Sequence, residues 1–158
     1  MTEQKKFYLT KEGLERMKNE YKSLKELKLA KTRGESPKIL QSEDLNPEYL
    51  LFQEDISFLE SRISEIDTII KNAILIKLPK KENQNIVDLG ATISVDVGGQ
   101  ADEFTLVGSL EANPFSGKIS NESPVGRALL GHKVGDAVLV SSPVHTTYKI
   151  KKIKYRLS

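Results

Sequence analysis

Apolar residues recur at helical spacing through two long stretches of this chain, from about Lys11 to Arg33 and from Glu48 to Ala73. In the first, Leu14, Met17, Tyr21 and Leu24 keep a 3-4-3 spacing and Leu27 follows. The seam then blurs, with Lys28 and Lys31 on the positions where apolar residues would continue. In the second, Tyr49, Phe52, Ile56, Leu59, Ile63, Ile66, Ile70 and Ala73 alternate by three and four without a break, the seam of a coiled coil. Thr10 reads as the N-cap of the first helix, with Glu12 favourable near its positive end and Gly13 tolerated in its first turn. Gly34 reads as its stop. Asn46-Pro47 supplies a cap and then a proline at the first position of the second helix. Two helices joined by a modest loop fold back as an antiparallel hairpin. The loop, residues 34–47, places Glu43 and Asp44 at the tip of a rod whose longer helix spans roughly 38 Å.

The pattern changes at Pro79-Lys80-Lys81-Glu82-Asn83-Gln84-Asn85, a polar stretch that reads as a domain linker. Beyond it, strand-like alternation predicts segments at Thr92–Val97, Phe104–Ser109, Ala137–Ser142 and Thr147–Tyr155, with Gly98-Gly99 as the turn between the first two. Ser123–Gly131 reads as a short helix: a serine cap, proline at the first position, glycine at the end. The expected class is α+β: an N-terminal antiparallel helical hairpin over residues 1–78, then a small β-sheet domain packed on one short helix over residues 79–158.

Composition fits that picture. Only 38% of the residues are hydrophobic and 29% are charged, as a long rod with a thin core requires. The formal net charge of +2 is too small to imply a nucleic-acid binder by itself. Its distribution says more. From Lys11 to Arg33 there are eight Lys or Arg against four Glu; from Pro47 to Asn72 there are six acids against Arg62 and Lys71. Oppositely charged helices favour packing on each other over packing with a copy, so a monomer is expected. There is no cysteine, which excludes disulfides and thiolate metal sites. No apolar run approaches a membrane span and the N-terminus lacks a signal-peptide stretch, so the reading is a cytoplasmic protein without a membrane partner. Nothing reads as a phosphate-binding glycine loop, a zinc site or a nucleophile–base pair.

Several strings resemble the bacterial Gre transcript-cleavage factors, GreA and GreB. They are Tyr8–Met17 at the opening, Asn46-Pro47-Glu48-Tyr49 after the tip and Phe58-Leu59-Glu60-Ser61-Arg62-Ile63 on the second helix. In the second half they are Gly117-Lys118-Ile119-Ser120, Ser123–Gly131 and Val134-Gly135-Asp136. The resemblance covers nearly the whole chain, and the Ser-Pro-x-x-Arg-Ala-Leu-x-Gly string followed by Gly-Asp is its most specific part. It implies an FKBP-like globular domain that docks at the rim of RNA polymerase's secondary channel, and a coiled coil that reaches toward the active site. There, tip carboxylates help hold a second Mg²⁺ shared with the polymerase, which then cleaves the displaced RNA 3′ end of a backtracked complex. Hard Mg²⁺ takes oxygen ligands, and two ions clamp the attacking and leaving oxygens. The resemblance thus implies a helper of the polymerase rather than a complete enzyme, with no cofactor of its own. By the same resemblance Asn46, Glu48, Tyr49, Ser123, Pro124, Arg127, Gly135 and Asp136 are candidate partner-binding residues, and Glu43 and Asp44 the candidate catalytic and metal-binding acids.

The tip departs from the family pattern Asp-Leu-x-Glu-Asn-x-Glu-Tyr. Here it reads Asp44-Leu45-Asn46-Pro47-Glu48-Tyr49. If two residues are deleted, Asp44 matches the first functional acid and the second has no counterpart. Aligned without a gap, Ser42 and Leu45 fall on the acidic positions. Either way Glu43 is an extra acid that could substitute, and Glu48 matches a different family position. The expectation is weakened or absent cleavage unless Glu43 takes over, and a factor that enters the channel without cleaving would occlude it.

Other features have plainer readings. The lysines of the first helix form a solvated face or pair with the second helix; contact with displaced RNA is the alternative. Lys149, Lys151, Lys152, Lys154 and Arg156 interleave with Ile150, Ile153 and Tyr155; edge-strand protection against aggregation accounts for them, and contact with polymerase is the alternative. Arg127 reads as paired within its domain, and His132 and His145 as ordinary surface residues. A coiled-coil holdase or, by fold analogy, a proline isomerase is a third class, but for an isomerase the second half offers only Phe104, Phe115, Tyr148 and Tyr155 to line a pocket.

Overall fold

A computed structural model describes residues 4–34, 47–141 and 144–156. Its contacts divide into two compact units, Leu14–Asn72 and Met1–Gly13 with Ala73–Ser158.

The helical unit holds α1 (Lys11–Arg33) and α2 (Pro47–Lys71). Thr10 caps α1 as expected, its Oγ1 accepting the Gly13 N–H at 3.0 Å. Leu14, Met17, Tyr21, Leu24, Lys28 and Lys31 are all half-buried, so the seam continues through the two lysines, while Leu27 lies off it at 47% exposure. The lysines serve there because α2 offers acids: Lys28 pairs with Glu60 at 3.2 Å and Lys31 with Asp55 at 3.0 Å. Nearer the start of α1, Glu20 pairs with Arg62 at 2.9 Å. Partner numbers fall on α2 as they rise on α1, which makes the helices antiparallel. On α2 the buried side chains are Leu59, Ile66 and Ile69, with Ile66 completely so. The helix stops before Ala73, which the periodicity had included. Asn72 closes the last turn instead, its side-chain amide donating to the Thr68 carbonyl at 2.9 Å.

In the other unit, β1 (Phe7–Leu9) and β2 (Ala73–Leu75) pair in parallel, an arrangement the sequence reading did not anticipate. Their crossover connection is the helical hairpin itself. Leu9 is completely buried, and its carbonyl accepts the Ile76 N–H at 2.9 Å. The division by contacts therefore falls at Gly13 and Asn72, and the chain from β2 through the expected linker packs with the sheet unit. Within that linker Lys81–Asn83 form a short 3-10 turn, and Ile86 bridges to Lys133.

The main sheet has the order β5-β4-β3-β7-β6. Its strands are β3 (Ala91–Val97), β4 (Gln100–Val107), β5 (Lys118–Ser120), β6 (Ala137–Val140) and β7 (Thr146–Tyr155). Only β4–β5 is parallel. Gly98 and Gly99, both at positive φ, make the two-residue β3–β4 turn read from the sequence. Short β5 escaped the sequence reading. One face of the sheet carries Ala91, Ile93, Val95, Phe104, Leu106, Val138 and Ile150, and α3 (Pro124–Leu129) adds Leu129 to this core. Strand β7 pairs with β3 over Tyr148–Tyr155 but with β6 only over Thr146–Lys149, so from Lys151 onward it has one strand neighbour. Edge protection accounts for Lys151, Lys152 and Lys154 there, while Lys149 lies between two strands.

Candidate functional site

Glu43, Asp44 and Asn46 lie outside the described residues, and the structure begins again at Pro47, the first residue of α2. Proline fits there because the first helical N–H has no intrahelical acceptor and its fixed φ suits the turn. Glu48 is exposed in the same turn. Tyr49 is half-buried on the seam, and its phenolic oxygen accepts a hydrogen bond from Gln53 Nε2 at 2.9 Å. With Phe52, Ile56 and Thr32 it lines an open groove of about 400 Å³ between the last turn of α1 and the first turns of α2. The half of the hairpin next to the acidic loop is thus loosely filled. On the loop side of buried Leu59, what fixes it is the Lys31–Asp55 pair, backed by Lys28–Glu60.

Arg62 anchors the middle of the hairpin. It holds Glu20 across the helix interface and Glu65 one turn on, both at 2.9 Å. These hydrogen bonds hold its guanidinium pKa above the ordinary arginine value.

In the second half the signature residues cluster around α3 and the β6 approach, and most of them carry structure. Ser123 caps α3: its Oγ accepts the Gly126 N–H at 3.0 Å and donates to the Ser120 carbonyl at 2.6 Å. Gly126 is required because a Cβ there would press into the Ser120 carbonyl oxygen. Asp136 Oδ2 accepts from the Lys133 N–H at 2.9 Å and approaches His132 Nδ1 at 3.2 Å. The Lys133 N–H first, and His132 second, hold the Asp136 carboxyl below its usual range. His132 is therefore part of a turn staple and more than an ordinary surface residue. Gly135, at positive φ, lets this turn form and donates its N–H to the Ile150 carbonyl at 2.8 Å. Pro124 and Arg127 are exposed. Arg127 makes no ion pair among the described residues, so the internal pairing expected for it is not found. The structure brings Ser123, Pro124 and Arg127 together on α3, leaving the last two as solvent-facing side chains.

Sequence reasoning missed Glu111. It lies in a 3-10 turn, Ser109–Glu111, and its carboxylate takes the Thr10 N–H at 2.7 Å and the Thr10 hydroxyl at 2.6 Å. A Cβ on Gly13 would push this carboxylate away from Thr10, so glycine there leaves room for the contact. Because 101 residues separate the partners, no local pattern could have revealed the contact.

The aromatic residues of the second half do not converge on a cavity. Phe104 and Tyr148 meet edge-to-face at 6.4 Å in the core, and Phe115 is fully exposed. The Tyr155 hydroxyl donates to the Ile86 carbonyl at 2.5 Å. No group of three or more His, Asp or Glu among the described residues could hold a metal ion. No helix among them is long and apolar enough to cross a membrane.

Comparison with known proteins gives two matches to family descriptions. Residues 7–75 match "Transcription elongation factor, N-terminal" and residues 81–155 match "Transcription elongation factor, GreA/GreB, C-term". Curated relatives include transcription elongation factor GreA of Thermomicrobium roseum, 38% identical over 85% of this chain and 88% of that protein. GreA of Geobacillus kaustophilus is 40% identical over 90% of this chain and 92% of that one. GreA of Lactococcus lactis subsp. cremoris strain MG1363 is 40% identical over 95% and 99%. Among solved structures, GreA factor homolog 1 of Thermus thermophilus aligns at 24% identity and a TM-score of 0.42, over 95% of this chain and 99% of that one.

Proposed function

This chain belongs to the GreA/GreB family of transcription elongation factors, and we propose that it enters the secondary channel of RNA polymerase and acts on backtracked complexes there. In this reading the helical pair is a coiled coil that carries Glu43 and Asp44 to the polymerase active site. The FKBP-like sheet domain docks outside, with Pro124 and Arg127 among the contacting side chains and Ser123, Gly135 and Asp136 holding their frame. At the loop end Asn46, Glu48 and Tyr49 complete the contact. The protein acts in the cytoplasm as a monomer, without a catalytic centre or cofactor of its own.

The observation that carries this reading is the pairing of α1 and α2. Their ion pairs fix an antiparallel register, so the one segment linking their far ends is the loop that holds both acids. Carboxylate oxygens fit a hard Mg²⁺ ion shared with the polymerase. When bound, that ion supplies charge stabilisation and a nucleophilic water for RNA cleavage. What this chain contributes is position. Asp44 and Glu43 offer oxygen ligands, and the stiff start of α2 at Pro47 sets where the loop ends.

A second reading rests on the tip sequence. With Asn46-Pro47 close behind Asp44, the second acid of the family pattern is missing. A charge-assisted contact contributes about 1.5–3 kcal/mol, or roughly one to two decades of affinity. Without a substitute for it, the factor would occlude the channel and restrain the polymerase instead of rescuing it. Mg²⁺-dependent RNA cleavage in a stalled, backtracked complex decides between the two. Under the cleavage reading, Asp44→Ala lowers the stimulated rate by about 10–100-fold, and Glu43→Ala reports whether that acid has taken over. Wild-type protein that slows elongation and stimulates no cleavage would establish the occluding reading instead. Protein that does neither, and does not bind polymerase, removes both.

A further inference from the structure

Strand β7 carries Lys149, Lys151, Lys152, Lys154 and Arg156 with no acid among them. Edge protection accounts for charge from Lys151 onward, where β7 has one strand neighbour, but not for the gathering of lysines on one face. The register supplies a geometric fact. Opposite β3, Lys152 pairs with Ser94 and Ile150 with Val95, so Lys151 is an extra residue in a β-bulge. Without that bulge, strict alternation would put Ile150 and Ile153 on opposite faces. With it, Tyr148, Ile150, Ile153 and Tyr155 all pack on the core side, and Lys149, Lys152 and Lys154 all stand on the other face.

That other face is open over its middle rows and strongly polar. Beside the lysines it presents Thr92, Ser94 and Asp96 from β3, and Ala101, Glu103 and Thr105 from β4. Thr105 lies level with Lys118 of β5, which adds a fourth ammonium. Of the two acids, Asp96 accepts the Gly99 N–H of the β3–β4 turn at 2.9 Å, and Glu103 accepts the hydroxyl of Ser94 on neighbouring β3 at 3.2 Å while its charge also acts on Lys152. No β7 lysine makes an ion pair among the described residues. Lys152 is held below the usual lysine pKa, chiefly by its contact with Lys154 and the like charge there. Such crowding is relieved by an anion between the two ammonium groups.

We propose that this open sheet face, centred on Lys149, Lys152 and Lys154, binds the phosphodiester backbone of a nucleic acid without reading its sequence. Three observations select that partner. The charges are lysines, compact and hydrated point cations, rather than the arginine forks suited to bidentate carboxylates. Lys152 and Lys154 repeat along the strand at about 7 Å, so they contact a linear polyanion at successive points. Among the described residues Leu139 is the one exposed large apolar side chain on this face, Val107 being already buried there, so the exposed apolar anchors that stabilise protein–protein contacts are few. The proposal concerns the isolated factor and does not depend on the tip chemistry.

Fluorescence anisotropy with a labelled single strand and a labelled duplex, titrated between about 20 and 200 mM salt, tests it. Neutralising three phosphate contacts changes the slope of log affinity against log salt by about 2–3. The variant K149Q/K152Q/K154Q should therefore show a slope shallower by that amount and at least tenfold weaker binding at low salt, while the corresponding triple arginine variant retains binding. Glu103→Gln should bind more tightly than wild type, a gain that damaged folding cannot mimic. Whichever oligonucleotide binds better identifies the form of nucleic acid. Equal slopes and affinities for wild type and the glutamine variant overturn the proposal, as does wild type that binds neither oligonucleotide at low salt. Loss of binding to core polymerase with oligonucleotide binding unchanged would assign the face to an acidic protein surface and equally overturn it.

Discussion

The helical unit and the sheet unit hold themselves together by different means. The sheet unit encloses a continuous apolar core in which Ala91, Ile93, Leu106, Leu129 and Ile150 are completely shielded from solvent. Among its described residues the helical unit has three buried side chains, all on α2, and the half next to the acidic loop has only Leu59, at its inner limit. That half relies on Lys28–Glu60 and Lys31–Asp55. Hydrophobic burial is strong and non-directional, whereas exposed ion pairs contribute little free energy but have definite geometry. The hairpin is therefore specified in register more firmly than it is stabilised.

The comparison breaks most clearly under matched core truncations. Ile93→Ala should cost about 2–5 kcal/mol in the sheet unit, and half-buried Ile56→Ala about 1 kcal/mol in the hairpin, read as shifts in denaturant midpoint. Equal costs would mean that the hairpin is as well packed as the sheet. A smaller effect is expected at the Arg62–Glu20 pair. A double-mutant cycle to alanine should give a coupling of about 0.5–1 kcal/mol that shrinks in high salt. A salt-independent coupling would show that this pair acts as buried structure. Asp136 should give the smallest effect and a pH-dependent one. Its carboxyl titrates below the ordinary value when folded, so its stabilisation is present above about pH 4 and is lost as pH falls through the folded pKa. The melting temperature of Asp136→Asn should lie below wild type at neutral pH and converge with it in acid. A gap that persists unchanged at low pH would remove the ionised carboxylate as the cause.

Much of this was legible in the sequence because it is local. The 3-4 spacing located both long helices, Ser-Pro and Gly located α3, and Gly98-Gly99 located the β3–β4 turn. The lysines at 28 and 31 already stood on seam positions; only the acids opposite them, set by the fold, show why they are tolerated. What escaped depends on partners distant in sequence. Strand β1 is three residues long and exists because β2 lies beside it, so its own pattern says nothing. Glu111 has no recognisable motif, and its function as a brace for Thr10 comes from the folded chain. The doublet Lys151-Lys152 between two isoleucines was a readable sign of a bulge. Its meaning required the register against β3, which leaves Lys151 as the extra residue. Of the candidate site, the frame around α3 was legible as a family signature, while the acids at 43 and 44 fall outside the described residues.

The parallel pairing of β1 and β2 makes the helical hairpin an insertion rather than a preceding domain. The chain departs at Leu9 and returns by Ile76, and those two residues are hydrogen-bonded neighbours. A fragment cut at residue 79 would forfeit a strand pair from its own fold. An exchange of hairpins between relatives, spliced at these two adjoining points, would leave the host sheet whole. Rods of another length or tip chemistry can thus be grafted onto one unaltered handle.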